Sequence, residues 1–302
     1  MAGNVASLGK EEQEAEGGIR GEAAARLRGA TGFYIGALLI SLFFMGPFLW
    51  TVLSSLKEAS EIVTFPPTLF PERWRFDNYA RAWSMVPFLT FYTNSAIVTV
   101  LAVIGQTLSA TVVAYGFARF RFPGKGFIFT LVLATLIVPW EVTIVPSFLL
   151  FKTLGWLDTL LPLIVPHWFG GGAFYIFLLR QFFLTIPREF DEAATIDGAG
   201  SLRVLWEILV PLCRPAMTTV AIFSFLSHWN EFIQPLIFLN SPERYTVSLG
   251  LRYFQTTPTD GSEPKEHLLM SGTVIVAIPC VILFFAAQRY FVRGIVLSGL
   301  KG

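Results

Sequence analysis

Apolar residues come in long runs along this chain, and polar residues collect between them. A helix that crosses the hydrocarbon core of a bilayer takes about 20 mainly apolar residues. Six stretches fit, at about residues 32–56, 90–116, 127–151, 161–183, 212–240 and 268–291. The fourth and fifth are interrupted, by Pro162, Pro166 and the Gly170–Gly172 run, and by Pro215 and Pro235. Such residues are tolerated in membrane helices, because neighbouring helices satisfy the freed backbone groups. The expected fold class is an all-α membrane protein with six transmembrane helices. Its membrane domain covers 31–292, between tails at 1–30 and 293–302. The longest polar gaps are 57–89, 184–211 and 241–267.

Composition agrees with that pattern. Only 14% of residues are charged, against roughly 25% in a typical soluble domain. Thirty Phe and eight Trp suit a lipid-facing surface. The net charge of +1 gives no case for nucleic acid as a partner. Residues 1–30 are rich in Ala, Gly and Glu and lack the short apolar core and small-residue cleavage site of a secretory signal. They are expected to form a cytoplasmic tail. Placing that tail inside puts 14 of the 22 Lys and Arg on the inner side, most of them beside a helix end. An even number of spans then leaves both termini and the 184–211 loop in the cytoplasm.

The familiar catalytic patterns are missing. No G-x-x-x-x-G-K-[ST] phosphate loop occurs, and Gly124-Lys125-Gly126 reads as a basic inner turn. His167, His228 and His267 are scattered and form no metal-ligand pair. No G-x-S-x-G elbow is present. Cys213 and Cys280 sit in apolar context and read as small buried hydrophobes. The expectation is a chain with no catalytic residue, no metal site and no cofactor of its own, so not an enzyme. Any energy for pumping comes from a partner or an ion gradient.

The 184–211 stretch is a charged island between apolar runs. Pro187 suits the first turn of a helix, with Thr185 upstream as a cap. Glu189, Asp191 and Glu192 then favour the positive end of its dipole. Gly198 and Gly200 mark a stop, and Ser201 caps a second helix that re-enters the apolar zone at Pro211. On the first helix Phe190, Ala193, Ala194 and Asp197 share one face. Two readings stand open on spacing alone: a docking surface, or a solvated amphipathic connector.

The motif settles further what spacing leaves even. Glu192-Ala193-Ala194, three residues, Gly198, nine residues, then Ile208-x-Val210-Pro211 resembles the EAA signature of the permease subunits of ABC importers, with Val210 where that family usually has Leu. Leu178–Phe183, Trp229-Asn230-Glu231-Phe232 and Gln288-Arg289-Tyr290 through Gly302 are similar to its carbohydrate-uptake, maltose-type branch with six spans. The resemblance implies that Glu192, Ala193, Ala194, Asp197 and Gly198, within the motif completed by Ile208 and Pro211, dock a separate ATPase, with the tail Arg293–Gly302 near it. It further implies a second permease, usually a different chain, and two ATPase copies that hold ATP and Mg. An extracytoplasmic solute-binding protein would deliver a sugar. The setting would be a bacterial or archaeal cytoplasmic membrane, and the mechanism alternating access.

Polar residues inside the expected spans are the other candidates. Ser227, Asn230, Glu231 and Gln234 fall on one helical stripe in the fifth span, beside Trp229. A charge there costs on the order of 3 kcal/mol on insertion scales, so it calls for a function. Two roles stand open, contact with a hydroxyl-rich solute and polar glue to the partner permease. Glu141, after Pro139 and Trp140, is either cavity-lining or solvated near the outer interface. His167 and Trp168 beside Gly170–Gly172 read mainly as packing. The outer segment Lys57–Phe88 reads as an amphipathic interfacial connector or as a surface for an external protein. A glycerol phosphate or polyol permease of the same architecture is the alternative, and a gradient-driven secondary transporter a more remote one.

Overall fold

The computed structural model describes residues 31–255 and 265–299. The tail at 1–30 lies outside the described residues. All regular structure among the described residues is helical.

Helix α1 (Thr31–Ser55) is apolar along its length, and none of its most apolar 18-residue window is buried against the rest of the chain. Phe33, Leu39, Phe43 and Phe48 face outward on all sides, as expected for a helix whose solvent is lipid. Long-range hydrogen bonds hold its C-terminal end. There the buried Asn78, on helix α2 (Asp77–Met85), donates to the carbonyls of Ser55 (3.0 Å) and Lys57 (2.8 Å). Ser271 adds a bond to the Ser55 carbonyl at 3.0 Å. Lys57 is buried, donates to the Thr68 carbonyl, and lies over the Trp50 ring at 4.5 Å. The connector between α1 and α2 is therefore anchored at its start, while Phe65, Phe70, Trp74 and Phe76 further along stand exposed.

Helix α3 (Phe88–Arg119) is the axis of the fold. At 1.5 Å per residue its 32 residues run about 48 Å, long enough to cross a bilayer and project. Ala102, Gly105, Ala110, Ala114 and Ala118 line it, so other backbones approach closely. Around it pack the remaining spans, each with a break.

The expected third span, 127–151, is two short helices. α4 (Lys125–Ala134) and α5 (Ile144–Thr153) are separated by a turn region with a 3-10 turn at Trp140–Thr143. Pro139 causes the interruption: its backbone is extended (φ −60°, ψ 131°) and it has no N–H for a helix ladder. The fourth segment, Leu161–Thr185, parts at Phe169–Gly172 before α6 (Ala173–Thr185). Gly170, Gly171 and Gly172 have φ of 96°, 65° and 80°, values that favour glycine. Gly171 also lies against the backbone of Ala110, where a Cβ would come within 2.3 Å of the amide nitrogen.

After α7 (Glu189–Ile196), helix α8 (Ser201–Leu212) meets α9 (Arg214–Trp229) at an 81° bend. The middle of α8, Val204–Leu209, is wound as π-helix. Pro211 has no N–H to return to the preceding turn, and the wider turns lie just before it. A short α10 (Ile233–Phe238) follows, and α11 (Glu266–Gly299) packs on α2 and α9 with Pro279 inside it. By length and composition four helices suit a membrane crossing, or five if the bent α8–α9 pair is one. Of the six expected stretches, the one split by Pro139 is outside this count, and the fifth enters it only through the bent pair.

At the turn between α5 and the fourth segment, Asp158 adopts φ 58°. Its carboxylate accepts from the Asn240 and Ser241 amides (2.9 and 2.8 Å) and the Ser241 hydroxyl (2.5 Å). These bonds hold its carboxyl below the usual carboxylate range and tie this turn to the end of α10.

Candidate functional site

At the Arg119 end of α3 a loop is built from α7, a glycine turn and α8. Glu189, Asp191 and Glu192 occupy the first turn of α7, complementing its dipole. Thr185 caps nothing here; it ends α6, donating to the Phe182 carbonyl at 2.8 Å. Gly198, at φ 82°, closes α7: Ala199 N–H donates to Ala194 (2.9 Å) and Gly198 N–H to Thr195 (3.0 Å). This paired pattern is the Schellman stop, which needs a left-handed residue at that place.

Three contacts fix the loop to α3. Arg119 Nε lies 3.1 Å from Asp191 Oδ2, an ionic contact between largely buried side chains. Arg119 also donates to the Ile186 carbonyl at 3.0 Å. The Tyr115 hydroxyl donates to the Ser201 carbonyl at 3.1 Å. Beneath them Ala194, Val204, Leu205, Leu209 and Cys213 join Ala114, Leu179 and Phe183 in one buried cluster.

The outward side of this loop is apolar. Glu189, Phe190, Ala193, Ala194, Asp197 and Ile208 line a groove of about 400 Å³. The structure thus brings together Ala193, Ala194, Asp197 and Ile208, which the sequence places up to 15 residues apart (208 − 193). Glu192 and Gly198 are exposed but are not among the residues that line it, and Pro211 is exposed further along α8. Phe190, Ile196, Leu202 and Trp206 also stand exposed, Ile196 at 85%.

The expected polar stripe of the fifth span takes a different form. α9 ends at Trp229 and α10 begins at Ile233, so Ser227, Asn230, Glu231 and Gln234 do not share one continuous helix. Pro235 cannot donate to the Glu231 carbonyl, and Glu231 turns its carboxylate onto the new helix start. Its Oε1 accepts from the amides of Ile233 (3.0 Å) and Gln234 (3.2 Å). Asn230 is exposed and donates to the Leu226 carbonyl at 2.8 Å; Ser227 is exposed on the last turn of α9. Trp229 is buried, its Nε1 donating to the Val276 carbonyl (3.0 Å), its ring stacked on Phe225 and edge-on to Tyr92. Glu141 is exposed in the turn after Pro139, apart from this group.

A further polar cluster went unread in the sequence. Midway along α3, Gln106 Oε1 accepts from the Ser224 hydroxyl (2.5 Å) and pairs with His228 Nε2 (2.9 Å). His167 packs edge-on against His228, ring centres 4.2 Å apart. The two histidines are 61 positions apart (228 − 167), so no spacing links them. The available signal was chemical: a glutamine inside an apolar run. Among the described residues no group of three or more His, Cys, Asp or Glu is arranged to hold a metal.

Comparison with known proteins agrees with this architecture. The model of the binding-protein-dependent transport system inner membrane component family matches residues 23–297. The chain is 35% identical over 255 residues to the diacetylchitobiose uptake system permease protein NgcG of Streptomyces coelicolor, covering 84% of this chain and 83% of that protein. It is 31% identical over 270 residues to the sn-glycerol-3-phosphate transport system permease protein UgpE of Yersinia pestis, covering 87% and 93%. A crystal structure of a bacterial ABC transporter involved in the import of the acidic polysaccharide alginate contains a chain that superposes with a TM-score of 0.74 at 25% identity, over 85% of this chain and 95% of that one. An axial helix ringed by broken spans, a packed loop at one end and a match across nearly the whole length make the conclusion direct: the chain belongs to the inner-membrane components of binding-protein-dependent transport systems, the permease subunits of ABC importers.

Proposed function

We propose that this chain is one transmembrane half of an importer for a sugar or oligosaccharide, driven by ATP hydrolysis on separate subunits. The observation that carries this reading is the groove of Glu189, Phe190, Ala193, Ala194, Asp197 and Ile208 on a loop pinned to α3. An apolar groove with Glu189 and Asp197 in its lining and Glu192 exposed on the same helix suits a partner surface with an apolar knob and basic edges. On this reading α7 is the coupling helix of an ATPase subunit, and two such subunits carry ATP and Mg. The chain crosses the membrane six times, α4 and α5 together making the third crossing. Both termini and α7 lie in the cytoplasm, in keeping with the Lys and Arg distribution. A second permease, of another sequence, completes the pathway, and a solute-binding protein feeds it from outside. ATP binding draws the two coupling helices together and opens the spans outward; hydrolysis resets them.

The solute class follows from what lines the spans. Within the described span helices, with α4, α5 and the α8–α9 pair, the Lys and Arg are Arg119, Lys125, Lys152, Arg180, Arg203, Arg214, Arg289 and Arg293. All lie toward helix ends, none at the middle of α3, and Arg180 is committed to the Phe117 carbonyl and the Phe129 ring. A mid-membrane anion site is thus lacking among the described residues, which favours a neutral sugar. Asn230, Ser227, Glu231 and Gln234 around the α9–α10 break, and Glu141 apart from them, are the pathway candidates. The glycerol phosphate relative keeps the anionic alternative open to test.

The experiment is uptake by the assembled complex in liposomes, using diacetylchitobiose, maltotriose and glycerol 3-phosphate as solutes. ATP-dependent uptake of a neutral saccharide that Glu192→Lys abolishes, with membrane insertion intact, is the expected result. Uptake without any ATPase subunit, or unaffected by Glu192→Lys, refutes the reading.

A further inference from the structure

Three elements meet around one side chain midway along α3. Gln106 lies 13 residues (119 − 106) before the end of α3, about 20 Å along the axis from it. Its Oε1 has two lone pairs, and both are taken by α9, by Ser224 Oγ–H at 2.5 Å and His228 Nε2–H at 2.9 Å. Those donors are one helical turn apart, so a single oxygen grips one face of α9. The Gln106 amide nitrogen faces the fourth segment: a Cβ built on Gly172 would lie 3.3 Å from it. From that segment His167 packs on His228, and the His167 carbonyl accepts the Ser109 hydroxyl of α3 at 3.1 Å. With no water to compete, such bonds fix helices against each other.

What these elements do elsewhere gives the junction its meaning. α9 is joined to the loop through the 81° bend at Cys213. The fourth segment parts beside Gln106, at three glycines that have no side chain to hold them. Left alone, a loop movement carried along α6 would be absorbed at that glycine break, while α9 moved separately. We infer that Gln106 is a positioning residue of the transport cycle, clipping α9 to the broken fourth segment so that movement at the loop reaches the solute end as one rigid displacement. This rests on the reading of α7 as the coupling helix, and the test separates the two.

The test uses the complete complex in liposomes, with Cys213 and Cys280 replaced by alanine and Asn230→Cys as reporter. Asn230 is exposed just past the clipped face of α9. Maleimide labelling is timed without nucleotide and after trapping with ADP and vanadate, and ATP hydrolysis is measured in parallel. The parent's labelling rate is expected to change at least tenfold on trapping. Gln106→Met, which keeps length but removes both acceptor sites, is expected to shrink that change below twofold while hydrolysis stays within twofold. His228→Phe is expected to act in the same direction, and Gln106→Met/His228→Phe to be no worse than Gln106→Met alone, because the Gln106 change already removes the bond that His228 makes. Should Gln106→Met fail to insert, Ser224→Ala removes a single donor and reads the same quantity. A tenfold change retained in all these variants overturns the clip. A parent with no change on trapping, or a Glu192→Lys control that still shows it, overturns the coupling reading instead.

Discussion

Replacing Asp191 by alanine probes the strut that sets the loop on α3. The Arg119 side chain is 6% exposed and Asp191 21%. Removing one partner of a buried pair leaves the other charge uncompensated, which costs about 3–5 kcal/mol. Asp191 is a fifth exposed and Arg119 keeps its bond to the Ile186 carbonyl, so the lower end, about 3 kcal/mol, applies. Losing an acidic residue from the first turn of α7 adds a smaller part, about 0.3–1 kcal/mol. At 1.4 kcal/mol per factor of ten, the docked loop loses on the order of a hundredfold in population against undocked forms. Hydrogen exchange reads this directly at the α7 amides, whose bonds to Arg188 and Ala193 depend on the docked helix. Asp191→Ala is expected to speed exchange over 186–199 by about two orders of magnitude, with uptake falling in parallel. The double variant Arg119→Met/Asp191→Leu is expected to recover most protection, because it leaves no stranded charge. Unchanged exchange in Asp191→Ala, or a double variant worse than the single, would refute the strut.

Three other expectations are simpler to state. Gly171→Ala drives a Cβ into the Ala110 backbone and strains φ 65°, whereas Gly170→Ala meets only strain at φ 96°; thermal unfolding in detergent should drop by several degrees more for Gly171→Ala. Glu231→Ala removes the acceptor for two amides at the start of α10, a loss of about 0.5–2 kcal/mol, and should alter uptake kinetics; Glu231→Gln keeps an acceptor oxygen, and kinetics as poor as those of Glu231→Ala would show that charge, and not capping, is what matters. Asp158 has a depressed carboxyl, so the stability it lends is present above the ordinary carboxylate value of about 3.9 and is lost as pH falls through the lower folded value. Exchange at the Asn240 and Ser241 amides should stay slow at pH 5 and rise only under strong acid, and Asp158→Ala should remove that pH dependence.

The loop was nearly complete in the sequence. Its helix and glycine stop are local consequences of the acidic turn and Gly198, whereas Pro187 lies ahead of α7 and Gly200, not Ser201, occupies the cap of the second helix. The groove face at Phe190, Ala193, Ala194 and Asp197 followed from helical periodicity. What periodicity could not supply was Arg119, which reaches Asp191 from 72 positions away (191 − 119). The spans divide in the same way. Apolar length located them, because lipid demands about 20 such residues whatever they pack against. Where they break was harder. Pro139 stops a helix outright by imposing an extended backbone, and Gly170–Gly172 take positive φ values while Gly171 lies against Ala110.

The sequence by itself therefore determined that this is a helical membrane chain with a charged helical loop between its spans, since hydrophobic length and helix stops are properties of short stretches. Tertiary structure decided which polar residues meet. It turned Glu231 from a member of a helical stripe into the cap of a new helix, buried Trp229 between Phe225 and Tyr92, and joined Gln106, Ser224, His228 and His167 in one cluster. Those pairings depend on how broken helices cross α3. Crossing is set by the Trp168 ring seated on Gly105 and by the approach of Gly171 to the Ala110 backbone, which is a property of two surfaces together and is written in neither alone.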